Sequence, residues 1–121
     1  MSDTTRWSEQ KELGCVQAQL GSNVVGTDTG HWLDFSGCMN LRIAVSGTVG
    51  VSGTYDVLGC EMLDRPADSD NLHPSLLMGM QNNVLNWLQF NTAPHWVKFI
   101  TTGVTKLSCG ASADRRDAWR R

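Results

Sequence analysis

The chain has 121 residues, of which 18% are charged, and its formal net charge is −2 at neutral pH. A domain of this length can bury one hydrophobic core without help from disulfide bonds or bound metals. The weakly acidic chain is not built to hold nucleic acid by charge, and no apolar run approaches the roughly 20 residues that span a bilayer. The N-terminal sequence MSDTTRWSEQKELG lacks the order of a secretory signal, so we expect folding in a cytoplasm.

Residues 1–14 are polar and charged and show no pattern of a strand or helix, apart from Trp7. We interpret them as an N-terminal arm. A lone tryptophan in such an arm usually serves as an anchor, because a free indole exposes a large apolar area to water. The anchor would hold the arm either to its own domain or to a neighbouring subunit, and the sequence favours neither.

From residue 15 onward, short alternating runs replace the polar arm. Residues 15–27, CVQAQLGSNVVGT, predict a strand, a turn at Gly-Ser-Asn and a short second strand. Residues 31–35, HWLDF, predict another strand. These runs are typical of an all-β domain with many short connections.

The clearest pattern lies in residues 41–60, LRIAVSGTVGVSGTYDVLGC, and we expect the chain to be organised around it. Apolar residues alternate with polar or small ones, as in strands with one buried face. The Ser-Gly-Thr junction predicts either a hairpin or one sharply bent strand. Residues 95–110, HWVKFITTGVTKLSCG, repeat the order of strand, small-residue turn and strand, and we predict a second hairpin there.

Residues 63–74, LDRPADSDNLHP, form a polar loop that contains Asp64, Asp68 and Asp70. Loops of this length in compact domains are often functional or mobile. Carboxylates suit calcium, but the spacing does not match an EF-hand loop and no bidentate glutamate follows. A solvated acidic loop is therefore favoured over a calcium site, and the three carboxylates are candidates for contact with a partner.

Residues 76–90, LLMGMQNNVLNWLQF, combine helical spacing with residues that interrupt a helix. Gly79 and the pair Asn82-Asn83 favour turns over helix interiors. We therefore predict a short segment over residues 75–80, a turn at 81–83 and a strand over 84–90.

Residues 111–121, ASADRRDAWRR, are interpreted as a C-terminal arm. Its side chains carry a net charge of about +2, which is weak for nucleic acid. Tryptophan and arginine are enriched among the anchors of protein interfaces, so we expect protein contact. The candidate contact residues of this arm are Trp119, Arg115, Arg116, Arg120 and Arg121.

The sequence contains no recognisable catalytic or metal-binding motif: GxSxG, HExxH, the P-loop and GxGxxG are all missing. Glu61, Asp34 and Asp56 are better explained as solvent-facing strand residues than as members of a glycosidase pair. The scattered histidines and cysteines, without a CxxC pair, favour reduced, buried thiols over disulfides or a zinc site. They are His31, His73, His95, Cys15, Cys38, Cys60 and Cys109. We expect no enzyme activity, no cofactor and no metal.

Five tryptophans are many for a chain of this length. Exposed tryptophans on a sandwich can stack on sugars, which makes a carbohydrate-binding module an alternative from a different functional class. The simpler interpretation places Trp32, Trp87 and Trp96 in the core beside their apolar neighbours.

Two segments, FSGCMNLRIAVSGTVGVSGTYDVLG (35–59) and APHWVKFITTGVTKL (93–107), resemble small virion proteins of tailed bacteriophages. The matching features are an aromatic-Ser-Gly entry, a hairpin rich in Ser, Gly and Thr, and a later aromatic strand followed by a Thr-Gly turn. The likeness covers roughly a third of the chain. Arg42 and Lys98 occupy places where outward-facing basic residues are expected.

The resemblance implies an antiparallel β-sandwich of jelly-roll type that binds other virion proteins, commonly as a trimer. We therefore predict an all-β domain over residues 15–110, flanked by flexible arms at 1–14 and 111–121. Arms that order on assembly lose conformational entropy and need buried anchors to recover it, which suits the two tryptophan-bearing ends.

The predicted function is that of a non-enzymatic capsid decoration, or cement, protein that bridges and stabilises subunits of the major capsid protein. The alternatives are a tail, neck or baseplate component and, from the other class, a carbohydrate-binding module of a receptor-binding appendage. Such a protein would assemble in the host cytoplasm into the virion. We expect a homo-oligomer, with a trimer favoured, and neither a membrane nor a specific nucleic acid as partner.

Overall fold

The computed structural model describes residues 8–12, 15–69, 75–80 and 87–115. These residues form eight strands of one antiparallel sheet, which confirms the predicted all-β class. None of them forms a helix that could cross a bilayer. The strands are β1 (Ser8–Glu12), β2 (Cys15–Asp28), β3 (Leu33–Asp34), β4 (Cys38–Thr48), β5 (Thr54–Cys60), β6 (Ser75–Met80), β7 (Trp87–Thr92) and β8 (Trp96–Arg115).

The sheet is built on β8, which contributes to two leaves. Its first part, 96–102, pairs with β5 on one side, while Trp96 and Val97 pair with β3 on the other. Its later part pairs with β2 and β4. The first leaf has the order β1-β2-β8-β4-β7 and the second the order β3-β8-β5-β6. Gly103 lies between the two parts with φ +60°, beside a register shift against β2, as in a bulge that bends a strand.

The two leaves share one hydrophobic core. Leu41, Ile43 and Val45 of β4 are buried together, as their alternation predicts, in a single cluster with residues of the second leaf. The Phe99 ring from the second leaf lies so close to Gly21 of the first that a side chain at Gly21 would collide with it. This close packing gives the molecule the arrangement of a β-sandwich.

Neither of the two predicted hairpins is present. β4 and β5 pair with different parts of β8, because residues 49–53 carry the chain from one leaf to the other. The stretch 95–110 lies almost entirely within the single strand β8, so the Thr-Gly turn is a bulge inside a strand. The predicted turn in residues 15–27 is likewise absorbed into β2, where Asn23 has φ +51°. Val51 belongs to the alternating pattern of residues 41–60, which predicts one buried face, but it is fully exposed.

The boundaries of the predicted arms need correction. Residues 8–12 pair with β2, and residues 111–115 continue β8 between β2 and β4. Ala111 and Ala113 are buried, because small residues at alternate positions continue the inward face of the strand. The polar composition of these segments concealed that pattern. Trp7 and residues 116–121 lie outside the described residues.

The region after β5 follows its prediction more closely. Residues 61–69 are without strand or helix, and β6 has the predicted bounds Ser75–Met80. The predicted strand over 84–90 corresponds to β7, which begins at Trp87 and ends at Thr92. Residues 70–74 and 81–86 lie outside the described residues.

Gly30→Ala should destabilise the fold much more than Gly26→Ala. Both glycines have positive φ, +70° and +78°, so both substitutions carry a backbone cost of about 1–2 kcal/mol. A Cβ at Gly30 would also collide with the Phe99 carbonyl oxygen, whereas at Gly26 it would meet nothing within 4 Å. Urea unfolding should therefore show an additional loss of about 1–3 kcal/mol for Gly30→Ala. Equal losses would contradict the close approach of residue 30 to β8.

Candidate interaction surface

The outer face of the first leaf carries an open groove of about 670 Å³, which we call the outer groove. Strands β2, β8, β4 and β7 contribute to it side by side. The strand register aligns Gln19, Gly110, Ala44 and Trp87 in one row across the sheet. The two central positions have no side chain or a single methyl group, so Gln19 and Trp87 form walls about 14 Å apart at their backbones.

The floor of the outer groove is open at Gly110. A Cβ placed there would meet no atom within 4 Å. Ala44, its neighbour on β4, is exposed. The depression therefore follows from small residues on the two central strands and requires no distortion of the sheet.

Polar groups on the next row are fixed by hydrogen bonds. Arg42 Nε donates to Ser112 Oγ at 2.9 Å, and Arg42 Nη2 donates to Asp114 Oδ1 at 3.2 Å. Asn40 Nδ2 donates to the other carboxylate oxygen at 3.0 Å. The hydrogen bonds from Asn40 and Arg42, with the charge on Arg42, lower the pKa of Asp114. The positive charge of Arg42 is thus paired with a carboxylate.

Gln19 is held in place on the opposite wall. Its Nε2 donates to the Gly21 carbonyl oxygen at 2.6 Å and to the Cys109 carbonyl oxygen at 3.2 Å. These two bonds fix the orientation of the amide. Among the described residues no hydrogen bond engages its Oε1, which remains an acceptor.

Trp87 is 63% exposed, so its predicted place in the core is wrong. Trp87 pairs with Ala44, and the alternation of β7 sends it to the outer face with Gln89, which pairs with Arg42. The predicted burial of Trp32 is confirmed. Trp96 is half-buried, and its Nε1 donates to the Met62 carbonyl oxygen at 2.9 Å.

β7 is also an edge strand of the described sheet. It pairs with β4 on one side, and no described strand pairs with the other. Its sequence, WLQFNT, contains no charged residue and no proline. Edge strands usually carry such residues to prevent pairing with other chains. β7 therefore offers an unprotected edge at the rim of the outer groove.

A second polar cluster surrounds Asp68 and fixes the loop after β5. Its carboxylate accepts hydrogen bonds from the Trp32 backbone N–H at 3.2 Å and from Arg65 Nη2 at 2.9 Å, and it lies 2.8 Å from His31 Nδ1. Burial alone would raise the pKa of Asp68, but the contacts with His31, Trp32 and Arg65 outweigh burial and lower it. The carboxylate thus serves internal contacts.

Lys98 completes this cluster from β8. The resemblance placed it on the outer surface, but its side chain is fully buried. Its ammonium group donates to the Asp68 carbonyl oxygen and lies 5.0 Å from the centre of the Trp32 ring. A buried ammonium group needs such partners, so Lys98 holds the loop against the second leaf.

The remaining sequence candidates divide into described and undescribed positions. Asp64 is exposed, and Arg115 ends β8 opposite Cys38. Asp70, His73, Trp7, Arg116, Trp119, Arg120 and Arg121 lie outside the described residues. Contact of any candidate with a partner stays a prediction.

Three of the four cysteines have the buried positions that the sequence predicts. Cys38, Cys60 and Cys109 are buried, and burial strongly raises the pKa of the Cys109 thiol. Among the described residues, no group of three His, Cys, Asp or Glu side chains is placed to hold a metal ion.

The fold and the outer groove define an antiparallel β-sandwich with one open face. This fold is similar to that of the SPBc2 prophage-derived protein YomS, known from a crystal structure, with a TM-score of 0.57. The two chains are 14% identical, and the match covers 89% of this chain and 94% of that chain. No protein-family model and no curated protein matches the sequence.

Asp68→Asn removes the charge from the carboxylate and so weakens its hydrogen bonds to Trp32 and Arg65. Because the site is partly exposed, the free energy of unfolding at pH 7 should fall by only about 1–2 kcal/mol. Asp64→Asn, in the same loop but exposed, should change it by less than about 0.5 kcal/mol. Urea unfolding measures both.

The same pair of variants has a defined pH dependence. Because the folded state lowers the pKa of Asp68 below its ordinary value of 3.8, its contribution is complete above that pH and declines as the pH falls through the folded pKa. The difference between wild type and Asp68→Asn should shrink below about pH 4. A constant difference down to pH 2 would contradict an ionised Asp68 in the cluster.

Proposed function

We propose that this chain is a non-enzymatic structural component of a bacteriophage particle. The observation that carries the proposal is the fold shared with a prophage-derived protein over nearly the full length of both chains. The sequence resemblance of segments 35–59 and 93–107 to small virion proteins supports it independently of the fold.

Within the particle, we propose the role of a capsid decoration protein that bridges subunits of the major capsid protein. A bridging protein needs surface that accepts neighbours without refolding. The unprotected edge of β7 provides backbone N–H and C=O groups to which an added strand can bond. Tail, neck and baseplate components would use the same features, so position in the particle distinguishes these roles.

The proposed assembly is a homo-oligomer, with a trimer favoured by the resemblance. Unpaired backbone groups of an uncharged edge strand are a template for pairing with another chain. β7 is accordingly the described element best suited to contact a copy or a capsid subunit. Residues 1–7 and 116–121 are the other proposed contact segments. Deleting them leaves all eight described strands complete, whereas a C-terminal deletion that begins at residue 112 would shorten β8.

Antibodies raised against the protein should label purified phage particles produced from the genome that encodes it. Gold particles distributed over the head in electron micrographs would support the decoration role. Label confined to the tail or neck would replace it with the alternative. Particles that carry no label, while the protein is abundant in the same lysate, would reject a structural role. Pre-immune serum provides the control.

Gln89→Lys should impair assembly more than Gln17→Lys. Both glutamines are exposed on the outer face and belong to one row across the first leaf, but Gln89 lies on the open edge strand and Gln17 on an internal strand. A lysine on an edge strand opposes pairing with another chain. We expect at least a tenfold weaker association for Gln89→Lys, measured by light scattering for the oligomer and by incorporation into particles. Equal effects of the two lysines would contradict assembly through β7.

A further inference from the structure

We propose that the outer groove binds a neutral oligosaccharide, with one sugar ring stacked on Trp87 and its hydroxyl groups bonded to the polar side chains of the groove. This inference does not depend on the position of the protein in a particle. It rests on three features of the groove: its exposed indole, its ordered hydrogen-bonding groups and its neutral charge.

The first feature is the indole beside an open floor. Trp87 is 63% exposed, and the positions next to it in the same row are Ala44 and Gly110. An exposed indole presents a flat apolar face, and a pyranose ring has an apolar face of C–H groups that can cover it. Space above Gly110, where a Cβ would meet nothing within 4 Å, leaves room for a ring next to the indole.

The second feature is the set of hydrogen-bonding groups around that space. Gln19 is fixed by two backbone carbonyl groups and retains Oε1 as an acceptor. Arg42 is fixed by Ser112 and Asp114 and retains further N–H donors. Ser46 lines the groove as an exposed hydroxyl group. Sugar hydroxyl groups both donate and accept, so they can bond to all three kinds of group, and fixed side chains lose little entropy on binding.

The third feature is charge. Among the described residues that line the groove, Arg42 is the one charged side chain, and its partner Asp114 neutralises it at 3.2 Å. Nucleic acids and phosphorylated ligands bind through several unpaired cations. The groove therefore favours a neutral polyol over a nucleic acid or a polyanion, in agreement with the net charge of −2.

Titration of the full chain with neutral hexasaccharides of glucose, galactose and N-acetylglucosamine tests the proposal. Calorimetry should detect at least one of them at millimolar concentration or below, with a change in tryptophan fluorescence. Trp87→Ala should weaken binding at least tenfold, because the stacking surface is lost. Val25→Ala removes a side chain of similar exposure, 62%, outside the groove and should leave the affinity unchanged.

Gly110→Val provides a second variant that keeps Trp87 intact. Valine suits a strand, and a Cβ at Gly110 would meet nothing within 4 Å. Filling the floor should weaken saccharide binding at least tenfold while the melting temperature stays within a few degrees of wild type.

The proposal fails if none of the three hexasaccharides binds, or if Trp87→Ala and Val25→Ala bind equally well. It also fails if a heparin-derived hexasaccharide or a thymidine hexanucleotide binds more tightly than the neutral sugars. Acrylamide quenching of Trp87 fluorescence in the homo-oligomer provides a further test. If Trp87 is protected in the wild type and loses that protection in Gln89→Lys, the groove is a contact between copies instead. None of these outcomes affects the labelling of particles, so the two proposals can fail separately.

Discussion

The structure depends on β8, a strand that is paired on both sides and whose neighbouring strands change along its length. β8 is 20 residues long and supplies the central strand of both leaves. Buried backbone N–H and C=O groups require hydrogen-bond partners. Before Gly103, β8 pairs with β5 and β3, and after it with β4, while β2 pairs with β8 from Thr101 onward. The bulge at Gly103 lets the pairing change without leaving the strand, so the relative position of the two leaves is set within a single element.

The buried charge of Lys98 links the loop after β5 to this strand. An ammonium group in the core is expensive unless several partners replace water. Here the partners are the Asp68 carbonyl oxygen and the Trp32 ring. The Asp68 carboxylate in turn needs the Trp32 backbone N–H and Arg65. Residues 61–69 thus acquire a fixed place without regular secondary structure, because moving away would remove the partners of the buried Lys98 ammonium group on β8.

Local alternation in the sequence was enough to predict the all-β class and the buried face of β4, since period two depends only on neighbouring residues. Pairing partners could not be predicted in this way. Residues 41–60 and 95–110 each have the pattern of a hairpin, yet their strands meet partners far away in sequence, such as Ile43 and Ala111. A small-residue junction marks a hairpin turn, a crossing between leaves or a bulge equally well, and the long-range contacts decide among them.

The same limit explains Trp87 and the outer groove. Its neighbours in sequence are apolar, but its face of the strand is set by pairing with Ala44, which the sequence pattern does not reveal. The groove itself joins residues of four strands that are distant in the chain.

β8 connects the groove to the core through its small residues. Inward, Ala111 and Ala113 let the first leaf lie close to the core, and outward, Gly110 and Ser112 keep the opposite face low. A larger residue on the inward side would separate the leaves, and one on the outward side would fill the groove. The alternation within ASADR, which the polar composition of this segment conceals, therefore has two uses in the folded chain. It continues the sandwich to Arg115, and it forms the floor beside which Trp87 is exposed, next to the edge of β7 that no described strand pairs with.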